Sequence, residues 1–194
     1  MRPLVVVLTG PESTGKTTLA AHLARRFDAP WSGEGARAWY AERLAVDAGA
    51  TLSYATVTPI AERQIALEDA ALADAERRRS PLVLRDTDLL STIAYSRLLY
   101  GAAPPWVEAA ARARRGDRYL LGDVDAPWVE DPVRADAPDR AVARAAFEQV
   151  LREFGCAWEV LGGSDWSARV ADAERWVRTW LGESIRQDYR IVQD

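Results

Sequence analysis

The chain has 194 residues, 48% of them hydrophobic, which suits one folded domain with a sizeable core and excludes a disordered protein. Its formal net charge of −4 excludes a broad cationic footprint, so no nucleic-acid partner is expected. Cys156 and His22 are each the sole residue of their type and no apolar run reaches membrane length, which excludes an internal disulfide, a Cys/His zinc site and a membrane partner.

The first predicted element is the strand Leu4–Thr9, a continuous apolar run of the kind buried on both faces. It opens onto Gly10-Pro11-Glu12-Ser13-Thr14-Gly15-Lys16-Thr17, a complete G-x-x-x-x-G-K-[ST] phosphate-binding loop. Of the 25 basic residues, Lys16 is the only lysine and the other 24 are arginine. The exception has a chemical reason. Backbone N–H groups cradle a polyphosphate here while a compact ammonium reaches the β- and γ-phosphates, and a planar guanidinium does not replace that point charge. The Thr17 hydroxyl is then placed to ligate Mg²⁺. Beyond the loop, Leu19, Leu23 and Phe27 recur every four residues and predict a helix with one apolar face.

A short strand follows near Ala29–Ser32, then helices over Ala36–Ala48 and Pro59–Arg79, the second with Thr58 as N-cap and Pro59 at its first position. The strand Leu82–Asp86 leads into a helix over Asp88–Tyr100 that Gly101 terminates. A helix over Pro105–Arg115 and a strand at Tyr119–Gly122 come next. Arginine runs at Arg77-Arg78-Arg79 and around Arg112, Arg114 and Arg115 read as solvated helix ends. Asp125–Pro138, with Pro127, Pro132 and Pro138, reads as a lid over the site. The helix Pro138–Phe154, closed by Gly155, the strand Trp158–Leu161 and the helix Ser164–Leu181 complete the pattern. Strands alternating with helices predict an α/β P-loop NTPase fold, a five-stranded parallel sheet with helices on both faces. One domain is expected over residues 1–181, with the lid at about 125–138 and a tail or packing arm at 182–194.

Ligands of an open parallel sheet gather outside the carboxyl ends of its strands. Asp86-Thr87-Asp88 puts two carboxylates at one such end. One is expected to hold Mg²⁺ or contact substrate, while one of the three residues caps the next helix. Glu34 follows the second strand, three residues before Arg37, facing an acceptor across the sheet or forming a surface ion pair. Arg134 and Arg140 are candidates to stabilise charge on a transferring phosphoryl group. Trp31, Trp39 and Trp128 are candidates to stack on the acceptor's ring, whereas Trp158, Trp166, Trp176 and Trp180 read as packing residues.

Together, the loop at residues 10–18, Glu34 with Arg37, Asp86-Thr87-Asp88 and Pro127-Trp128-Val129-Glu130-Asp131-Pro132-Val133-Arg134 resemble the ribosylnicotinamide kinase domain of the NAD-salvage regulator NadR. The resemblance spans roughly residues 4 to 181. It implies ATP on residues 10–18, Thr18 included, and Mg²⁺ at Thr17 with the Asp86/Asp88 pair. It implies a riboside near Glu34 and Arg37, and lid contacts from Trp128, Asp131 and Arg134. Pro132 stands where the family commonly has glycine, which implies a stiffer lid. With one histidine, the chain lacks the His-x-Gly-His motif of the adenylyltransferase often fused to this kinase, so only the kinase step is expected.

The reading is therefore a cytoplasmic, Mg²⁺-dependent kinase that moves the γ-phosphoryl of ATP to a nucleoside 5′-hydroxyl, nicotinamide riboside first. Lys16 would stabilise the phosphates and Arg134 would close over the transfer. Asp86, Asp88 and Glu34 are the three candidates to orient or deprotonate the hydroxyl. Another small hydroxyl acceptor, or a nucleotide-binding regulatory ATPase, fits the same loop, and an oligomer is compatible with the sequence.

Overall fold

The computed structural model describes residues 2–47, 50–125, 139–163 and 165–191. In chain order these form β1 (Leu4–Thr9), α1 (Lys16–Phe27), β2 (Trp31–Ser32), α2 (Gly35–Leu44), a 3-10 turn at Tyr54–Thr56, α3 (Val57–Arg78), β3 (Leu82–Asp86) and α4 (Leu89–Tyr100). They continue as α5 (Pro105–Arg114), β4 (Arg118–Gly122), α6 (Arg140–Glu153), β5 (Trp158–Leu161) and α7 (Trp166–Ile191). The strands make one parallel sheet in the order β2-β3-β1-β4-β5.

The continuous apolar run of β1 is explained by its central place. Alternate side chains point to opposite faces of a strand. Leu4, Val6 and Leu8 enter one apolar cluster with Leu19, Leu23, Ala173 and Val177, so α1 and α7 cover that face. Val5 and Val7 enter the other with Ala61, Ile93, Val107 and Phe147, from α3 to α6. The chain thus leaves β1 into a helix on one face and leaves β3 into a helix on the other. Since β1 and β3 are neighbours, with Leu8 opposite Asp86, a crevice opens at their carboxyl ends.

The five-stranded parallel architecture agrees with the sequence reading, and several boundaries are corrected. The α3 helix begins at Val57 with Thr56 at the N-cap, ahead of the expected Thr58 and Pro59. Pro59 is still in the first turn, where a missing N–H breaks no intrahelical bond. The α2 helix stops at Leu44, four residues early. The last helix continues to Ile191, so residues 182–191, expected to be a tail or a packing arm, extend α7. The lid expected over residues 125–138 lies outside the described residues from position 126 onward. Among the described residues, no helix is long and apolar enough to cross a membrane.

One core feature is ionic. Arg85, in the middle of the sheet, is 2% exposed and lies 3.1 Å from the Glu68 carboxylate of α3, which is 0% exposed. The same guanidinium donates to the Arg114 carbonyl at 2.8 Å. Such a buried pair is retained because removing one partner strands the other. Burial pushes the Glu68 carboxyl up to about 7, with the Arg85 charge opposing the shift. A carboxyl whose folded value is raised stabilises the fold most below its unfolded value of 4.5 and loses that contribution as pH rises through about 7. Glu68→Gln removes the titration. In urea denaturation, the stability advantage of wild type over Glu68→Gln should therefore shrink between pH 5 and pH 8. A constant difference across that range would contradict this assignment.

Candidate functional site

The phosphate-binding loop is shaped by two glycines and one strained serine. Gly10, at φ 124°, lies so close to β4 that a Cβ there would sit 2.9 Å from the Gly122 carbonyl oxygen. Gly15, at φ 80°, is the N-cap of α1 and turns the chain into the helix. Ser13 takes a left-handed φ of 55° without that freedom. The turn aims backbone N–H groups and the positive end of α1 at the space above the loop, which is an anion site. Lys16 Nζ lies over the same turn, donating to the Pro11 carbonyl at 2.5 Å.

Across the crevice, β3 delivers Asp86. The Thr17 hydroxyl donates to Asp86 Oδ2 at 2.6 Å, joining the first turn of α1 to the end of β3. Asp86 Oδ1 is buried and has no hydrogen-bond partner among the described residues. Burial raises the Asp86 carboxyl above its ordinary value, while the Thr17 hydrogen bond and the charges of Lys16 and Arg37 oppose that shift. A hydroxyl and a buried carboxylate oxygen are hard donors that suit Mg²⁺. That cation takes one or two carboxylates and completes its shell with phosphate and water. No cluster of three or more His, Cys, Asp or Glu that could hold a metal occurs among the described residues, so a closed all-protein cage is not offered.

Of the two tasks expected for this segment, Asp88 takes the capping one. Its Oδ1 accepts from the Leu90 N–H at 3.0 Å as the N-cap of α4, and its Oδ2 accepts from the Tyr119 hydroxyl at 2.7 Å. It is 2% exposed, and both oxygens are occupied inside the protein. The Asp-Thr-Asp pair is thereby split: Asp86 faces the loop and Asp88 secures the helix behind it. Between them Thr87 holds a left-handed φ of 70°, a conformation that costs a threonine about 1–3 kcal/mol. The Thr87 N–H donates to the Leu8 carbonyl at 2.9 Å, which helps to enforce that turn.

Glu34 and Arg37 lie at the start of α2, 3.6 Å apart, with the Glu34 side chain 10% exposed and Arg37 about half exposed. Since β2 pairs with β3, this turn follows the strand beside the one that carries Asp86, and the Arg37 charge favours the ionised form of Asp86. Trp39, one turn further along α2, is partly buried. Arg140, the first residue of α6, donates to the Ser13 carbonyl at 3.4 Å and so reaches the loop. Trp128, Asp131, Pro132 and Arg134 lie outside the described residues.

Two residues at the start of α7 were missed. Arg169 is 2% exposed and donates to the Thr14 carbonyl at 3.0 Å and the Gly163 carbonyl at 2.8 Å, with an ion pair to Asp125. It buttresses the loop from behind. Trp166, read as a packing residue, is 42% exposed, and its ring lies so close to Gly15 that a Cβ there would meet it at 2.7 Å. Their i, i+3 spacing puts both on one helix face, a signal lost among 24 arginines and eight tryptophans.

With this geometry in place, comparison with known proteins is informative. The chain is 27% identical over 180 residues to the trifunctional NAD biosynthesis/regulator protein NadR of Salmonella typhimurium, and 28% identical to that of Escherichia coli. Each match covers 92% of this chain and 43% of the relative, so the chain spans less than half the length of these curated relatives. Crystal structures of NadR protein, one in complex with NR and one with NAD and AMP-PNP, superpose with a TM-score of 0.68 at 23% identity. They cover 93% of this chain and 50% of theirs. Thymidylate kinase from Ehrlichia chaffeensis shares the fold at a TM-score of 0.64 and 14% identity, over 92% of this chain and 100% of its own. The resemblance to NadR carried by the loop, the Glu34 turn and the Asp-Thr-Asp strand end is borne out. The AAA domain model matches residues 5–169, and the chain belongs to that family.

Proposed function

We propose that the chain is a small-molecule kinase that transfers the γ-phosphoryl of ATP to the 5′-hydroxyl of a nucleoside, with nicotinamide riboside as the first acceptor. One observation carries this reading. Glu34 and Arg37 follow β2, which pairs with β3 on the side away from β1 and the phosphate loop, giving the carboxyl end of the sheet an acid beyond Asp86. A loop that only bound and hydrolysed nucleotide would not need it. The solved NadR complexes with NR and with AMP-PNP support the choice of acceptor and donor.

In this reading the loop amides and Lys16 hold the β- and γ-phosphates, and Arg140 and Thr18 lie beside them. Thr17 and Asp86 would hold Mg²⁺, which when bound neutralises charge between the β- and γ-phosphate oxygens. Glu34, next to Arg37, accepts the proton of the attacking hydroxyl and orients it, while Trp39 and Arg37 border the acceptor's space. Of the three acids considered, Asp88 leaves the set because its oxygens are occupied internally, which leaves Glu34 as the base and Asp86 as the metal ligand. Arg134, Trp128 and Asp131 are assigned to the acceptor and transfer sites on the resemblance alone. A cytoplasmic location agrees with the lone Cys156, a single thiol.

Riboside-dependent release of ADP with formation of the mononucleotide is the direct test, and Lys16→Ala should abolish it. Glu34→Gln should lower kcat by about 10²–10⁴-fold, the contribution expected of a general base, with little effect on nucleotide affinity. Tight ATP binding without stimulation by any nucleoside would exclude the kinase. For Asp86→Asn, the Mg²⁺ concentration needed for half-maximal turnover should rise at least tenfold or so, as loss of one charged ligand implies. Because burial raises the Asp86 carboxyl, it protonates at a higher pH than a free aspartate. Turnover of the wild type should therefore fall on the acid side at a pH above the ordinary carboxylate range, and raising Mg²⁺ should move that limb to lower pH.

A further inference from the structure

Gln64 of α3 is 2% exposed, yet its side-chain amide joins the two turns that carry the site's acids. Its Oε1 accepts the Gly35 backbone N–H at 2.8 Å, immediately after Glu34. Its Nε2 donates to the Thr87 carbonyl at 3.4 Å, immediately after Asp86, and to Glu68 Oε1 at 3.2 Å. The partners fix the orientation of the amide, since one side meets a donor and the other meets two acceptors. No other uncharged side chain of this length offers both at once.

Each bond falls at a place where the backbone needs help. Gly35 is the first residue of α2, and its N–H has no intrahelical partner. Gly35 also approaches so closely that a Cβ there would sit 2.8 Å from the backbone nitrogen of Gln64. Thr87 is the strained left-handed residue, and such a conformation persists only where its surroundings over-determine it. Behind Gln64, Glu68 is in turn held by Arg85. The amide is thus braced by a buried ion pair and bridges the β2–α2 turn to the β3–α4 turn.

We propose that Gln64 is a positioning residue that sets the separation of Glu34 and Asp86, and hence of the acceptor hydroxyl and the phosphate being transferred. It touches neither substrate. The inference rests on the kinase reading above and adds a residue that the phosphate loop, the strand-end acids and the lid do not include. Removing it should leave the nucleotide half of the site intact, because Arg169 and Arg140 hold the loop, while the Thr17 hydroxyl and the Thr87 N–H bond to Leu8 still hold Asp86. It should let the Glu34 turn drift, and a misplacement of about 1 Å costs transfer about 10²-fold.

The test compares wild type, Gln64→Met and Gly35→Ala in three assays: ATP affinity, ATP hydrolysis without acceptor, and nucleoside-dependent phosphorylation across a panel of nucleosides. Gln64→Met keeps the volume and deletes both bonds, while Gly35→Ala pushes α2 off an intact Gln64. Both should lower acceptor-dependent kcat by about 10²-fold, while ATP affinity and acceptor-free hydrolysis stay within about twofold of wild type. Gln64→Leu deletes the same bonds without adding a carboxyl beside Glu68, and should show the same split if Gln64→Met does not fold. Unchanged acceptor-dependent kcat in a folded Gln64 variant overturns the proposal, as does a parallel loss of ATP affinity, which would mark a general structural role. Absence of acceptor-dependent turnover in the wild type itself defeats the kinase reading, and with it this inference.

Discussion

The hydrogen bond from Thr17 to Asp86 is the contact on which the site depends, because it closes the crevice that the sheet topology opens. Strands β1 and β3 lie in parallel register, so their carboxyl ends finish side by side. Their chains then part to opposite faces, one into α1 and one into α4, and beyond the last backbone bond, from the Thr87 N–H to the Leu8 carbonyl, side chains have to rejoin them. The hydroxyl and the carboxylate do so at 2.6 Å. A charge-assisted bond of this length is stronger than one between neutral groups. Among the described residues it also leaves the buried Oδ1 without a hydrogen-bond partner. That is a costly arrangement for a structural carboxylate and a sensible one for a group that will meet a cation.

Both turns that converge there are strained, and both are braced from outside the turn. Ser13 and Thr87 adopt left-handed backbone angles that glycine would adopt without cost. Ser13 is followed by Thr14, whose carbonyl accepts from the buried Arg169, and its own carbonyl accepts from Arg140. Thr87 is held by Leu8 through its N–H and by Gln64 through its carbonyl. A glycine at either place would relieve the strain but would also widen the conformations open to the loop. Using a threonine or serine and fixing it with a distant side chain gives one geometry, at the expense of local stability.

Much of this was legible in the sequence because it is local. The strand run, the glycine spacing and the single lysine lie within the first seventeen residues, and each has a physical reason that needs no partner from elsewhere in the chain. The strand ends were legible for the same reason. The separation of Asp86 from Asp88 was not, because it turns on which face each side chain takes after a left-handed residue. Nothing in Asp-Thr-Asp announces that Thr87 has positive φ. The Glu68–Arg85 pair, Gln64 and Arg169 were hidden for another reason. The partners that explain them, Arg85 for Glu68, Gly35 and Thr87 for Gln64 and Thr14 for Arg169, are distant in the sequence, and their residue types are indistinguishable from those on solvated helix faces until burial is known. Arg85 sat in an apolar strand, and a charge in a sheet's core was the available hint that a buried acid had to face it.

The electrostatics of the site explain why the one lysine survives in a chain that otherwise uses arginine. Asp86 is balanced between burial, which favours its neutral form, and the nearby Thr17, Lys16 and Arg37, which favour the carboxylate. A cation that always stayed on Asp86 would neutralise it and compete with a metal. Lys16 lies against the Pro11 carbonyl and close enough to act on Asp86. An ammonium on a four-carbon stem can leave a carbonyl for a phosphate oxygen without breaking a bidentate fork. A guanidinium at the same position would lock onto either the carboxylate or the loop carbonyls with several donors at once. In the proposed kinase, the lysine is therefore the cation that keeps Asp86 ionisable and the loop open to phosphate, and both conditions have to hold before the acid at the β2 end has anything to act upon.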